Sequence, residues 1–255
     1  MSLFSVTSLS YDVPGRRLIT DLNLEIQQGG VTALLGCNGS GKSTLIKLLA
    51  GQIDPASGRI TYGGRDLAAW PSRALARDLA YLPQVTPPAE GMRLRELVAL
   101  GRYPWRGALG RFRPEDHAAV DRAITRCGLA AMADRLVDTM SGGERQRGWI
   151  AMMLAQGART LLLDEPTSAL DVAHQVEVLG LVQRMCRDEG LTAIVVLHDV
   201  NMAARYCDHV VALAQGQILM QGPIRDLMQP AALARIYGLP MQLTRTGDHT
   251  VAHPC

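Results

Sequence analysis

The segment GCNGSGKS, residues 36–43, matches G-x-x-x-x-G-K-[ST] between an apolar strand-like run and a helix-like one. Glycines at 36 and 41 let the backbone curl so that its N–H groups face a polyphosphate. Lys42 adds a point charge for the outer phosphates, Ser43 offers a hydroxyl to Mg²⁺, and the following helix start favours an anion. Asn38, Gly39, Ser40 and Thr44 complete the expected cradle. Cys37 has no role assigned by its type.

A phosphate cradle hydrolyses nothing alone, so a carboxylate for the metal and a group for an attacking water must come from elsewhere. TLLLDEP, residues 160–166, supplies both: Asp164 at the end of an apolar strand to serve Mg²⁺, and Glu165 to accept a hydrogen bond from the water. His198 ends a second apolar run, LTAIVVLH, and is expected at the γ phosphate or the water; a lone histidine elsewhere reads as structural. MSGGERQR, residues 140–147, places Ser141 at a helix N-cap with Gly142 and Gly143 leaving backbone N–H groups open. This motif reads either as a plain cap or as a second anion site. As an anion site it implies a two-fold dimer, in which each copy covers the nucleotide of the other.

The elements around these residues predict an α/β fold. FSVTSLSYDV and DLNLEIQQGG read as half-buried antiparallel strands; VTALLG, TLLLDEP and LTAIVVLHD read as buried strands, the last two joined by the helix-like AHQVEVLGLVQRMCRD. Residues about 85–155 are helix-favouring and follow a proline cluster, Pro83, Pro87 and Pro88, so they read as a helical insertion. QGQILMQG suggests a hairpin and ALARIYG a short helix, while TRTGDHTVAHPC shows no periodicity and is expected to fray.

Composition narrows the function classes. A net charge of +2, from 26 basic and 24 acidic residues, argues against a dedicated polyanion-binding surface. The five scattered cysteines have no C-x-x-C spacing and read as reduced thiols. The N-terminus lacks a secretory pattern, and no apolar run approaches the about 18 residues that span a bilayer.

Taken in order, the P-loop, MSGGE, LLLDEP, SALD (residues 168–171) and His198 resemble the nucleotide-binding subunit of an ABC transporter over nearly the whole chain. The resemblance implies a single ABC ATPase domain over 1–255: a RecA-like P-loop core with a parallel sheet, an N-terminal antiparallel β subdomain and the inserted helical subdomain. It implies that Tyr11 stacks on adenine, that Gln84 lies in the Q-loop and serves Mg²⁺, and that Asp171 belongs to the D-loop across the dimer. Met140 and Glu144 stand where that signature commonly has leucine and glutamine; Ser141 and both glycines are kept, so ATP contact, including that of Glu144, is expected to survive. The implied cofactors are ATP and Mg²⁺, with Lys42, Glu165 and His198 as catalytic groups.

Within that family, LVALGRYPW, SALDVAHQVEVL and HDVNMAARYCDHVVAL resemble the ATPases of ferric hydroxamate siderophore importers. That implies a second copy of itself, a membrane permease and, indirectly, a siderophore-binding protein as partners, no nucleic acid, and a peripheral place on the cytoplasmic face of the cell membrane. Other iron chelates, haem or cobalamin are alternative cargoes. A soluble ABC ATPase acting on nucleic acid or the ribosome is a remoter one, disfavoured by the single motif set and the lack of a heptad arm or metal cysteines. The run GRYPWRGALGRF, residues 101–112, sets three arginines beside three aromatics in a chain with only 4% aromatics. Arg102, Tyr103 and Trp105 read as part of, or support for, a permease-docking surface. In the alternative, Trp105 and Phe112 plug the core of the helical insertion while the arginines face water.

Overall fold

The computed structural model describes residues 2–107, 110–247 and 249–255. The chain divides into two compact units, one of residues 1–70 and 185–255, the other of residues 71–184.

The first unit opens with β1 (Ser2–Val13), β2 (Arg16–Gln27), β3 (Gly30–Leu35), α1 (Lys42–Leu49), β4 (Ser57–Tyr62) and β5 (Arg65–Asp66). An antiparallel sheet of order β2-β1-β4-β5 forms from alternating strands; β2 buries Ile19, Leu22, Leu24 and Ile26 and turns polar residues outward. β3 is buried along nearly its whole length, as a strand covered on both faces must be.

The second unit contains α2 (Ser72–Asp78), β6 (Leu79–Leu82), α3 (Leu94–Leu100), α4 (Tyr103–Arg106), α5 (Pro114–Arg126), α6 (Gly142–Gln156), β7 (Thr160–Leu163) and most of α7 (Val172–Glu189). β6 and β7 pair in parallel. Helices α3, α5 and α6 pack around Leu94, Leu97, Val98, Val120, Ile124 and Ile150. Gly101 permits this approach, since a Cβ there would lie 2.1 Å from the Met152 carbonyl oxygen. Proline at the first position of α5 and the left-handed Gly157 after α6 set these helix ends.

The chain returns to the first unit with β8 (Thr192–Val196), α8 (Val200–Tyr206), β9 (His209–Ala214), β10 (Gln217–Pro223), α9 (Ile224–Leu227), α10 (Pro230–Tyr237), β11 (Met241–Thr246) and β12 (His249–Pro254). Here the main sheet runs β10-β9-β3-β8, with β9, β3 and β8 parallel and β10 antiparallel at the edge.

Two expectations change. The hairpin does not form within QGQILMQG: its first strand is HVVALA, and Gln215 and Gly216, both with positive φ, make the turn. The C-terminus does not fray. β11 and β12 pair in register from Met241↔Pro254 to Thr246↔His249, and β12 buries Ala252. The pairing is backbone-driven and short, which leaves little periodicity to read in the side chains. Among the described residues no helix is long and apolar enough to cross a membrane.

Candidate active site

The P-loop joins β3 to α1 in the first unit. Gly36 has φ 145°, and a Cβ there would lie 2.3 Å from the Leu213 carbonyl oxygen and 2.6 Å from Ser40 Oγ, so only glycine fits. Gly41 holds φ 104° as the residue before α1, and no side chain caps that helix. The first helical bond runs from the Leu45 N–H to the Gly41 carbonyl, so the turn starting at Lys42 carries the donor groups and positive helix end that suit an anion. Lys42 is buried and its Nζ donates to the carbonyls of Gly36 at 2.8 Å and Cys37 at 3.0 Å, which holds the ammonium over the loop it closes. Ser40 is buried as well; Asn38 and Gly39 are exposed at the tip, and Ser43 and Thr44 are half-buried in the first turn of α1. Tyr11 is half-buried on β1 opposite Ile19, and His198 is exposed between β8 and α8.

The acidic strand end belongs to the second unit. Asp164 follows β7 and is only 2% exposed; its N–H bonds the Leu82 carbonyl and its carboxylate faces the Tyr81 hydroxyl at 3.5 Å. Burial, then the Asp164 charge, pushes that phenol up to about 12, so it stays a donor toward the carboxylate. Glu165 holds φ 50°, a left-handed conformation uncommon outside glycine and enriched at functional positions. Gln84, exposed just after β6, donates from Nε2 to Glu165 Oε2 at 2.7 Å. Within this unit Gln84 and Asp164 offer amide and carboxylate oxygens, hard donors of the kind that suits Mg²⁺.

The MSGGE segment is a full capping box. Ser141 Oγ accepts from the Glu144 N–H at 3.3 Å, and Glu144 Oε2 accepts from the Ser141 N–H at 2.8 Å. Glu144 thus closes the cap, and the backbone bond from Ser141 holds its carboxyl below the usual range despite partial burial. Gly142 is exposed at the helix start, whereas Gly143 is buried against His174, whose Cδ2 would lie 2.1 Å from a Cβ at that position. Asp171, at the start of α7, accepts on Oδ1 from the His174 N–H at 2.9 Å and meets His174 Nδ1 at 2.7 Å. His174 therefore links the SALD segment to the glycine pair, a role that sequence reading missed. Its only signal was the three-residue spacing from Asp171, typical of a helix cap. A groove of about 350 Å³ in this unit is lined by Gln84, Glu90, Gln146, Trp149, Glu165 and Leu170, among others.

The aromatic run resolves differently from its core-plug expectation. Trp105 is 42% and Tyr103 58% exposed, while Phe112 is half-buried against His117 and Arg106. Trp105 is held at the surface between Arg77 and Arg102, with Nε1 donating to the Gln156 carbonyl at 2.7 Å. Arg102 does not face water. Its side chain is 12% exposed, and its guanidinium bonds the buried Asp116 at 2.7 Å and the Ala155 carbonyl at 2.8 Å. The aliphatic side chains of α3, α5 and α6 already fill that core, so the aromatics are left to the rim. Ala108 and Leu109 of the run lie outside the described residues.

Known proteins align with this arrangement. The ABC transporter family model matches residues 19–168. The chain is 40% identical to an achromobactin transport ATP-binding protein of Dickeya dadantii, covering 94% of this chain and 89% of that one. It is 37% identical to an iron(3+)-hydroxamate import ATP-binding protein of Bacillus subtilis, covering 95% and 90%. A solved structure of a metal-chelate type ABC transporter in an inward-facing conformation superposes with a TM-score of 0.86 at 26% identity, covering 100% of this chain and 98% of that one. By the family match and this coverage, the chain belongs to the ABC transporter family, as an ATPase coupled to transmembrane transport.

Proposed function

We propose that this chain powers import of a ferric siderophore, with ferric hydroxamate as the cargo, through a membrane permease that it meets at the cytoplasmic face of the cell membrane. The observation that carries the reading is the strand-to-helix P-loop with its buried lysine, in a chain whose relatives over nine-tenths of its length bear achromobactin-transport and iron(3+)-hydroxamate-import names. Two copies are assigned to the working unit, each presenting Ser141, Gly142, Gly143, Glu144 and Asp171 to the nucleotide of the other.

In this reading Gly36 to Thr44 cradle the phosphates of ATP, Lys42 moves its charge from loop carbonyls to phosphate oxygens, and Tyr11 lies under the adenine. Ser43, Gln84 and Asp164 would hold Mg²⁺, which neutralises phosphate charge when bound. Glu165 accepts the hydrogen bond of the attacking water, and the Gln84 amide on its second oxygen fixes its direction. His198 orients the γ-phosphate side. Tyr103 and Trp105 form the exposed part of the permease-docking surface, and Arg102 supports it from below.

The test is growth of cells lacking this gene on a ferric hydroxamate as sole iron source, with ferric citrate, haem and a non-hydroxamate siderophore in parallel. Loss of hydroxamate use alone is expected. Survival on hydroxamate with loss of another source moves the cargo, and growth unchanged on every source overturns the import reading.

A further inference from the structure

Residues 197–201, which carry His198 from β8 into α8, are held by groups far away in sequence. The Leu197 N–H bonds the Leu34 carbonyl at 3.2 Å on the sheet side. Asp199 caps α8 through Oδ1, accepting from the Asn201 N–H at 2.7 Å and the Met202 N–H at 3.2 Å. The other holds come from the C-terminal segment. Tyr237, the last residue of α10, donates its hydroxyl to the His198 carbonyl at 3.2 Å. Asn201 exchanges two bonds with Ala252 of β12, Nδ2 to the carbonyl at 3.0 Å and Oδ1 from the N–H at 2.8 Å.

The same helix end reaches the P-loop. Cys37 Sγ donates to the carbonyl of Ile236 at 3.1 Å, one residue before Tyr237. The position of α10 is itself fixed, by Pro230 at its first turn, buried Leu233 and Ile236 on one face, and Gly238 in the left-handed conformation at its end. Burial, with the charge of Asp199 adding to it, pushes the Tyr237 hydroxyl up to about 12, so it remains a donor throughout the working pH range. His198 is an exposed side chain, and the position of its peptide sets which atoms the ring can reach.

We infer that the C-terminal segment is a positioning element for the hydrolytic site: the Tyr237 hydroxyl fixes the peptide of His198, and through Ile236 and Cys37 the same helix end registers that peptide against the P-loop. Tyr237 is thus a positioning residue that acts through His198. The inference rests on the proposed role of His198 and adds to it a group that lies well beyond the family match at residues 19–168.

The experiment is a mutant cycle in ATP turnover of the purified full chain, with Tyr237→Phe, His198→Ala and the double variant. Phenylalanine keeps the half-buried ring and removes only the hydroxyl. The expected result is a fall in kcat of about tenfold for Tyr237→Phe with KM for ATP held within about twofold, since small misplacements of a reacting group cost rate rather than binding. In the His198→Ala background the same substitution should cause no further loss, because the hydroxyl then has no side chain to direct. Unchanged kcat, a rise in KM alone, or an equal loss in both backgrounds would each overturn the inference while leaving the role of His198 intact. Wild-type turnover in His198→Ala would overturn that role and the inference with it. Asn201→Ala, which releases α8 from β12, is read by the same cycle if Tyr237→Phe does not fold.

Discussion

The P-loop and the run at residues 101–112 are both short, glycine-bearing and basic, yet their residue types constrain them to very different degrees. In the P-loop the lysine and the helix start answer to neighbours within a few positions: Lys42 bonds the carbonyls of Gly36 and Cys37, and Gly41 sets up α1, while the distant Leu213 carbonyl only adds to the need for glycine at 36. In the run, the residues that fix its position answer to distant partners. Arg102 pairs with Asp116 and reaches Ala155, Trp105 bonds Gln156, and Arg73 donates to the Pro104 and Trp105 carbonyls. Three arginines that look alike in sequence therefore divide into the buried ion pair of Arg102, a half-buried Arg106 stacked on Phe112, and an exposed Arg111. A local motif advertises its chemistry; a surface assembled from long-range contacts does not.

The largest effect that would separate the two regions is on turnover. Lys42→Ala is expected to lower ATP hydrolysis by at least about 100-fold with little change in melting temperature, because a charge aimed at the reacting phosphates is removed. Wild-type-like hydrolysis in a steady-state assay would break the P-loop assignment.

The run should respond in the opposite way, through stability. Arg102→Ala leaves Asp116 buried without its partner and is expected to cost about 3 kcal/mol, a fall of roughly 6–12 °C in a thermal melt. Burial alone would raise the Asp116 carboxyl, but the hydrogen bonds from Arg102 and the Arg113 N–H outweigh it and hold it below 3.8. A folded-state value below the unfolded one means that this stabilisation is present above the unfolded value and is lost as pH falls through the folded one. The melting temperature of the wild type should therefore drop more steeply than that of Asp116→Asn as pH is lowered from 5 to 2. Parallel curves would show that the pair contributes nothing.

The smallest effect expected is on the fold in Trp105→Ala. Loss of one hydrogen bond and two cation–π stacks at a half-exposed site should cost about 1–2 kcal/mol, while assembly with a permease weakens and nucleotide binding is spared. A fall in melting temperature as large as that for Arg102→Ala would return Trp105 to the core and sharpen the comparison in the other direction.

Much of the site was legible because its requirements are local. Gly36, Gly41 and Lys42 act within one strand, loop and helix; Ser141 and Glu144 form a cap four residues long; Asp164 and Glu165 follow a run of buried leucines. The left-handed backbone of Glu165 left no trace in its residue type. Gly143 read as an open backbone donor, and the His174 ring beneath it became visible only when α6 and α7 were folded together. The C-terminal hairpin escaped notice because six short pairs held by backbone bonds need no side-chain alternation.

By itself the sequence determined the class of chemistry, the strand-loop-helix that carries it and the α/β order of elements, because glycine geometry, capping and buried-strand composition act over distances of a few residues. The tertiary structure alone decided which arginine is buried, which glycine lies under a ring, and which distant groups hold His198. Those choices depend on contacts between residues separated by 14 to 51 positions, such as Arg102 with Asp116, His198 with Tyr237 and Asn201 with Ala252, and no local pattern encodes a partner that only folding brings within hydrogen-bond reach.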